Sequence, residues 1–230
     1  VSDVVSSPEP DAAEPGAEPM ARAIADEEFH PEVRSSERVF EGRVWDIRRD
    51  EVQYGEGRLV RDYVDHPGAV GVLALDADDR VFLIQQYRHP VGHRDWEVPA
   101  GLLDIDGEDP LEAAKRELAE EADLVAAEWN VLSDVFTSPG GSDETIRLFL
   151  ARGLSAAPDV FEREDEEADM LTRWVPLDEV VDAVLERRVQ NALLAVAALA
   201  AHAARGRGWS TLAAADAPWT TRDSIARRRG

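Results

Sequence analysis

WEVPAGLLDIDGEDPLEAAKRELAEEADL, residues 96–124, is the stretch on which the reading of this chain turns. Asp109 followed by Pro110 supplies an N-cap oxygen and then a proline at the first helical position, so a helix is predicted from there to about Ala122. Leu111, Ala114, Leu118 and Ala122 recur at helical spacing and should face a core. Glu117 and Glu121 stand four apart on one flank, with Glu120 close by. Like charges at that spacing cost roughly 0.2–0.5 kcal/mol unless something offsets them. A hard divalent cation, which prefers carboxylate and carbonyl oxygens, would do so. Arg116, four residues before Glu120, can hold a carboxylate by a charge-assisted hydrogen bond, and Pro99-Ala100-Gly101 makes a turn whose backbone can approach an ion or ligand. On Glu117 and Glu121 alone the pattern reads as a solvated face of an acidic helix. The longer pattern changes that reading.

Gly101 is followed by six residues, then Glu108, seven more, and Arg116-Glu117-Leu118-Ala119-Glu120-Glu121-Ala122-Asp123-Leu124. This resembles the Nudix box: Gly, five residues, Glu, seven residues, Arg-Glu-apolar-any-Glu-Glu-any-Gly-apolar. The departures are one extra residue before Glu108, which a loop can absorb, and Asp123 in place of the helix-end glycine. Asp tolerates the left-handed conformation better than most residues, so a modest stability cost is expected there. The flanks are similar to the ADP-ribose pyrophosphatase branch of that family. Gln85-Gln86-Tyr87-Arg88 and Trp96-Glu97-Val98-Pro99-Ala100-Gly101 look like its lead-in, Pro139 lies fifteen residues beyond Leu124 where the branch has a marker proline, and Glu166-Glu167-Ala168-Asp169-Met170 resembles its mobile acidic loop.

The resemblance implies an α/β fold, the Nudix α/β/α sandwich with a mixed sheet, its box helix on one side and its C-terminal helices on another. It implies that Glu117, Glu120, Glu121 and the Ala100 carbonyl hold Mg2+ or Mn2+, and that Glu167, with Glu166 as the alternative, activates or orients water. ADP-ribose would then be split to AMP and ribose 5-phosphate. Arg88 would clamp a phosphate, or else make a surface ion pair. Trp45 would offer adenine an aromatic face, and Arg61 a polar or phosphate contact; the alternative for Trp45 is a place in the core or an interface. The branch also implies a homodimer completed by the N-terminal strands. Alternative readings are a pyrophosphatase of another nucleotide sugar such as GDP-mannose, or a non-catalytic ADP-ribose sensor. The intact box carboxylates and the lack of a basic helix-turn-helix region weigh against the sensor.

Elsewhere the chain divides by composition. Residues 1 to about 30 are rich in Pro, Ala, Glu and Asp and read as a flexible acidic tail. Residues 35–66 alternate like strands around a Gly-Glu-Gly turn at 55–57, which predicts a small N-terminal antiparallel β subdomain for dimerisation or substrate binding. A hydrolase domain is expected over 67–206. Within it AVGVLAL (69–75) and VFLIQQY (81–87) look like a buried hairpin, and WNVLSDVF (129–136), TIRLFLA (145–151) and TRWVPL (172–177) are further strands. Helices are predicted over 177–188 and 190–206, and 207–230 reads as a C-terminal tail with a basic, loose end.

Over all 230 residues, 25 Lys and Arg against 48 Asp and Glu leave a formal charge of −23, which opposes binding to nucleic acid or anionic membrane. It does not oppose a small phosphorylated substrate, because a bound cation inverts the local field. The chain has no cysteine, which removes thiolate chemistry and disulfides, and its first residues lack the basic and apolar regions of a secretory signal. The longest apolar run, Ala192 to Ala201, is too short to span a bilayer. A cytoplasmic enzyme is therefore expected. Histidines 30, 66, 89, 93 and 202 have no ligand spacing to one another, and none is assigned a role.

Overall fold

The computed structural model describes residues 24–158 and 170–229. The strands before the box are β1 (Val33–Phe40), β2 (Asp46–Tyr54), β3 (Gly57–Asp65), β4 (Ala69–Ala74), β5 (Arg80–Arg88), β6 (His93–Glu97) and β7 (Ala100–Leu102). Helix α1 (Pro110–Ala122) follows, then β8 (Leu124–Phe136), β9 (Thr145–Ala156), β10 (Leu171–Pro176), α2 (Leu177–Leu185), α3 (Ala192–Gly206), β11 (Ala213–Ala214) and α4 (Thr220–Arg229). A mixed sheet has the order β11-β8-β9-β4-β7, in which β4 and β9 run parallel and the other pairs antiparallel. A second sheet has the order β10-β5-β6, and β1-β2-β3 form a third, antiparallel one.

Strand periodicity explains the layering. Successive side chains point to opposite faces, and the buried ones sort accordingly. Ala69, Leu73, Val81, Leu83, Leu148 and Leu150 pack with Leu177, Val180, Leu194, Ala197 and Ala201 of α2 and α3. Val70, Val72, Ala74, Ile84, Phe149 and Ala151 pack with Ala113, Ala114, Leu118 and Ala122 of α1. All of β4 is buried because it is covered on both faces, which is why its sequence is a continuous apolar run. The result is the α/β/α sandwich with a mixed sheet. Gly71 keeps this centre tight: a Cβ there would meet Leu148 Cδ2 at 2.8 Å.

The box helix begins and ends where its chemistry dictates. Asp109 Oδ1 accepts from the Leu111 N–H at 2.9 Å, Pro110 takes the first turn, and Asp123 closes the helix in the left-handed region at φ 54°. The β2–β3 hairpin turns through Gly55 at φ 58° and Glu56, within the Gly-Glu-Gly segment.

Three sequence expectations are corrected. β4 and β5 share only a Leu75–Val81 bridge and then part into different sheets, because β4 takes β7 and β9 as neighbours while β5 takes β6 and β10. Helix α2 stops at Leu185, with Arg187 in the left-handed region at φ 63°, rather than running to 188. The C-terminal end is helical instead of a loose tail. Buried Arg147 holds the approach to α4: it donates to both Asp134 carboxylate oxygens at 2.8 and 2.9 Å and to the Ala217 carbonyl at 2.6 Å. Its guanidinium lies 4.9 Å from the ring centre of buried Trp219. That anchor is long-range and invisible to local periodicity.

Of the acidic N-terminal segment, residues 1–23 lie outside the described residues, and 24–30 carry no helix or strand. Residues 31–230 form one compact unit that includes the β1-β2-β3 sheet. Among the described residues no helix is long and apolar enough to cross a membrane.

The anchor of α4 makes a measurable prediction. Trp219→Ala should lower unfolding stability by about 3–5 kcal/mol in urea titrations, the range for emptying a buried indole site, whereas Trp219→Phe should lose much less. Unchanged stability in Trp219→Ala would show that α4 does not unfold with the rest of the domain.

Candidate active site

The site is organised on the flank of α1 that faces the Pro99-Ala100-Gly101 turn. Arg116 lies at its centre. Its Nε and Nη2 donate to the two oxygens of Glu108 at 3.0 and 3.1 Å, and its Nη1 donates to Glu117 at 2.6 Å and Glu120 at 3.1 Å. One guanidinium therefore faces three carboxylates. Buried Glu121 is held separately: its Oε2 accepts the Ala100 N–H at 2.8 Å. This bond places the C-terminal half of the box helix against the first residue of β7.

Gly101 has a specific reason to be glycine. A Cβ at that position would overlap the carboxyl group of Glu117. The space a side chain would fill is occupied by the carboxylate that the box presents. Electrostatics are correspondingly uneven. Burial pushes the Glu117 carboxyl above its ordinary range, and the opposing pull of Arg116 does not cancel that effect. The hydrogen bonds from Arg116 hold the Glu108 carboxyl below its ordinary range. Glu108 is thus a firm partner of Arg116, and Glu117 is the carboxylate whose charged form burial disfavours.

These features fit a hard divalent cation. The donors are carboxylate oxygens with a backbone carbonyl beside them, negative charge exceeds the one guanidinium present, and Gly101 makes room for the Glu117 carboxyl beside that carbonyl. Among the described residues no three acidic or histidine side chains already converge as a closed ligand set. Glu117 and Glu120 both lie on Arg116.

The other residues singled out from sequence fall into separate places. Arg88, on β5, donates through Nε and Nη2 to buried Glu97 on β6 at 2.8 and 2.7 Å. The ion-pair reading of Arg88 therefore has a named partner, and its guanidinium plane is fixed. Arg61, on β3, donates to the Val60 carbonyl at 2.8 Å and lines a cavity of about 380 Å3 with Tyr63, Phe136, Pro139 and Arg228. Trp45 stacks on His66, with ring centres 4.4 Å apart and planes 21° from parallel. Among the described residues neither Arg61 nor Trp45 makes a hydrogen bond or ion pair with the box glutamates. Glu166 and Glu167 lie outside the described residues.

Sequence reasoning missed Glu108 as the main partner of Arg116, Glu97 as the anchor of Arg88, and His66 altogether. The first had a signal, since Glu108 and Arg116 are both fixed positions of the box pattern. The other two depend on cross-strand and long-range neighbours, which spacing does not carry.

A glutamate-rich helix flank, neutralised in part by one arginine and set against a glycine turn on an α/β/α sandwich, presents hard oxygen donors suited to a divalent cation. Residues 65–196 match the NUDIX domain, and the chain belongs to the Nudix hydrolase family. Members of that family use a divalent metal ion. Among its relatives is an ADP-ribose pyrophosphatase from Mycobacterium tuberculosis, 42% identical over 78% of this chain and 86% of that protein. An ADP-ribose pyrophosphatase from Bacillus subtilis is 34% identical over 71% of this chain and 88% of its own length. A methanol dehydrogenase activator from Bacillus methanolicus is 35% identical over 74% and 91%. A crystal structure of an ADP compounds hydrolase superposes with a TM-score of 0.66 at 20% identity, covering 80% of this chain and 99% of that one, and shares the fold.

The Gly101 contact separates geometry from stability. Gly101→Ala should displace the Glu117 carboxyl and lower kcat by about a hundred-fold, the scale of an ångström-sized misplacement of a reacting group. The melting temperature should move little, because the displaced group is the mobile end of a side chain. A variant with normal turnover would remove Glu117 from the site.

Proposed function

We propose that this protein hydrolyses the pyrophosphate bond of ADP-ribose to AMP and ribose 5-phosphate, using Mg2+ or Mn2+. The observation that carries the reading is the set of box residues Gly101, Arg116, Glu117, Glu120 and Glu121, in a chain 42% identical to an ADP-ribose pyrophosphatase over most of both lengths.

A pyrophosphate linkage is inert because its negative oxygens repel nucleophiles. When bound, the metal ion supplies charge neutralisation of those oxygens and a lower pKa for water. Glu117, Glu120, Glu121 and the Ala100 carbonyl would hold it. Arg116 keeps Glu117 and Glu120 at one place on the helix and relieves part of their mutual repulsion. The Ala100 N–H does the same for Glu121. Glu167, with Glu166 as the alternative, takes the proton from the attacking water. Arg88, oriented by Glu97, meets a phosphate oxygen, while Trp45 faces the base and Arg61 a polar or phosphate group. GDP-mannose or another nucleotide sugar would use the same box, so the choice of ADP-ribose rests on the relatives.

A homodimer belongs to the same reading. Every residue of β1 is exposed, and Val39, Phe40, Val44, Tyr54 and Val60 form exposed apolar surface on the N-terminal sheet and the β1–β2 connection. A second copy of the chain is the proposed cover. Sedimentation equilibrium giving twice the chain mass is the expected result, and a monomer at micromolar concentration counts against it.

Product analysis tests the reaction. With ADP-ribose and Mg2+, AMP and ribose 5-phosphate should appear and a chelator should stop them. Glu117→Gln or Glu121→Gln should cost about 100-fold or more in kcat, in line with loss of a group that stabilises charge in the transition state. Glu167→Gln should be the more damaging of the two loop variants; the reverse order would assign the base to Glu166. Turnover that persists with chelator present would refute the metal-dependent reading.

A further inference from the structure

We propose that His66 is a positioning residue for base recognition: it is the fixed platform on which Trp45 is held, leaving the outer face of the indole for the nucleobase. The inference rests on the nucleotide-sugar reading above and adds a residue to it.

His66 follows directly on β3 and is only 6% exposed. Both ring nitrogens are committed. Nδ1 accepts the Gly68 N–H at 3.0 Å, so the ring proton sits on Nε2, which lies 3.0 Å from Glu144 Oε1. Glu144 is itself held by the Thr137 hydroxyl, and the backbone N–H of His66 donates to Asp143 Oδ1 at 2.9 Å. Asp143 in turn meets Arg228 of α4 at 3.4 Å. The imidazole therefore cannot rotate without breaking contacts to two segments of chain.

Trp45 has the opposite character. It lies in the connection between β1 and β2, is 36% exposed, and stacks on this ring at 4.4 Å with planes 21° apart. A half-exposed indole on a short connection would sample several rotamers, and ordering it at binding would cost affinity. A rigid ring beneath it removes that cost beforehand. Because one face is taken by imidazole, the other is the face on which a planar base can stack.

The test separates base from sugar phosphate. Binding of AMP and of ribose 5-phosphate is measured on the full-length protein by calorimetry, and Trp45 emission is obtained as the difference from Trp45→Phe. His66→Asn keeps an oxygen to accept the Gly68 N–H and removes the stacked ring. It should weaken AMP about five- to twenty-fold, the scale of one base–aromatic stack, leave ribose 5-phosphate within two-fold, and shift Trp45 emission to the red. With ADP-ribose it should raise KM and change kcat little. Glu144→Gln retains an oxygen to accept the Nε2 proton and should behave as wild type, whereas Glu144→Ala should follow His66→Asn. Unchanged AMP affinity in His66→Asn, or equal weakening of AMP and ribose 5-phosphate, would overturn the proposal. If the wild type binds AMP through Trp45 but cleaves no ADP-ribose, the substrate reading fails and the platform stands.

Discussion

A single guanidinium shared among three carboxylates is the interaction around which this site is built. Arg116 takes Glu108 through two hydrogen bonds and Glu117 and Glu120 through one nitrogen. Without it, like charges one helical turn apart would spread into solvent, and the helix would lose both order and stability. With it, the carboxylates are collected but not neutralised, and Glu117 in particular stays half-buried with its carboxyl pushed up. An enzyme that must bind a cation and then a polyanion needs that partial compensation. Full neutralisation would remove the attraction, and none would scatter the carboxylates.

The sandwich supplies the rest of the geometry. α1 can present its acidic flank only because Ala113, Ala114, Leu118 and Ala122 fix its other face on the mixed sheet. Small alanines bring the helix close, so Glu121 reaches the Ala100 amide and Glu117 reaches the vacancy over Gly101. β7, the strand that starts at Ala100, is tied to β4 at the centre of the core. The metal-binding reading thus depends on the packing of the opposite face of α1 against the mixed sheet.

Legibility in the sequence follows the range of the interactions. The limits of α1, its Asp109 cap and the left-handed Asp123 were readable because caps and helix ends are decided by residues next to them in the chain. The box glutamates could be singled out because the longer pattern from Gly101 to Leu124 resembles the box, which their own spacing would not have done. The parting of β4 and β5 into two sheets was not, since a continuous apolar run records burial on both faces but not the identity of its neighbours. The docking of α4 was hidden for a similar reason: a basic terminal segment looks solvated until Arg147 and Trp219 are seen together across 72 residues of chain. Trp45 and Arg88 could be picked out by type, yet their partners His66 and Glu97 could not, because stacking and cross-strand pairing are set by the fold.

The central claim is that the box carboxylates, held by Arg116 and by the Ala100 N–H, form a cation site, and direct binding of Mn2+ tests it with no substrate present. Electron paramagnetic resonance of free Mn2+, titrated against the wild type and against a Glu117→Gln/Glu121→Gln double variant, reads it in one experiment. The account predicts saturable uptake of Mn2+ by the wild type, displaced by excess Mg2+, and uptake by the double variant weakened by about ten-fold or more, the scale of losing ligands from such a site. Equal uptake by both proteins would place the metal elsewhere and contradict the account.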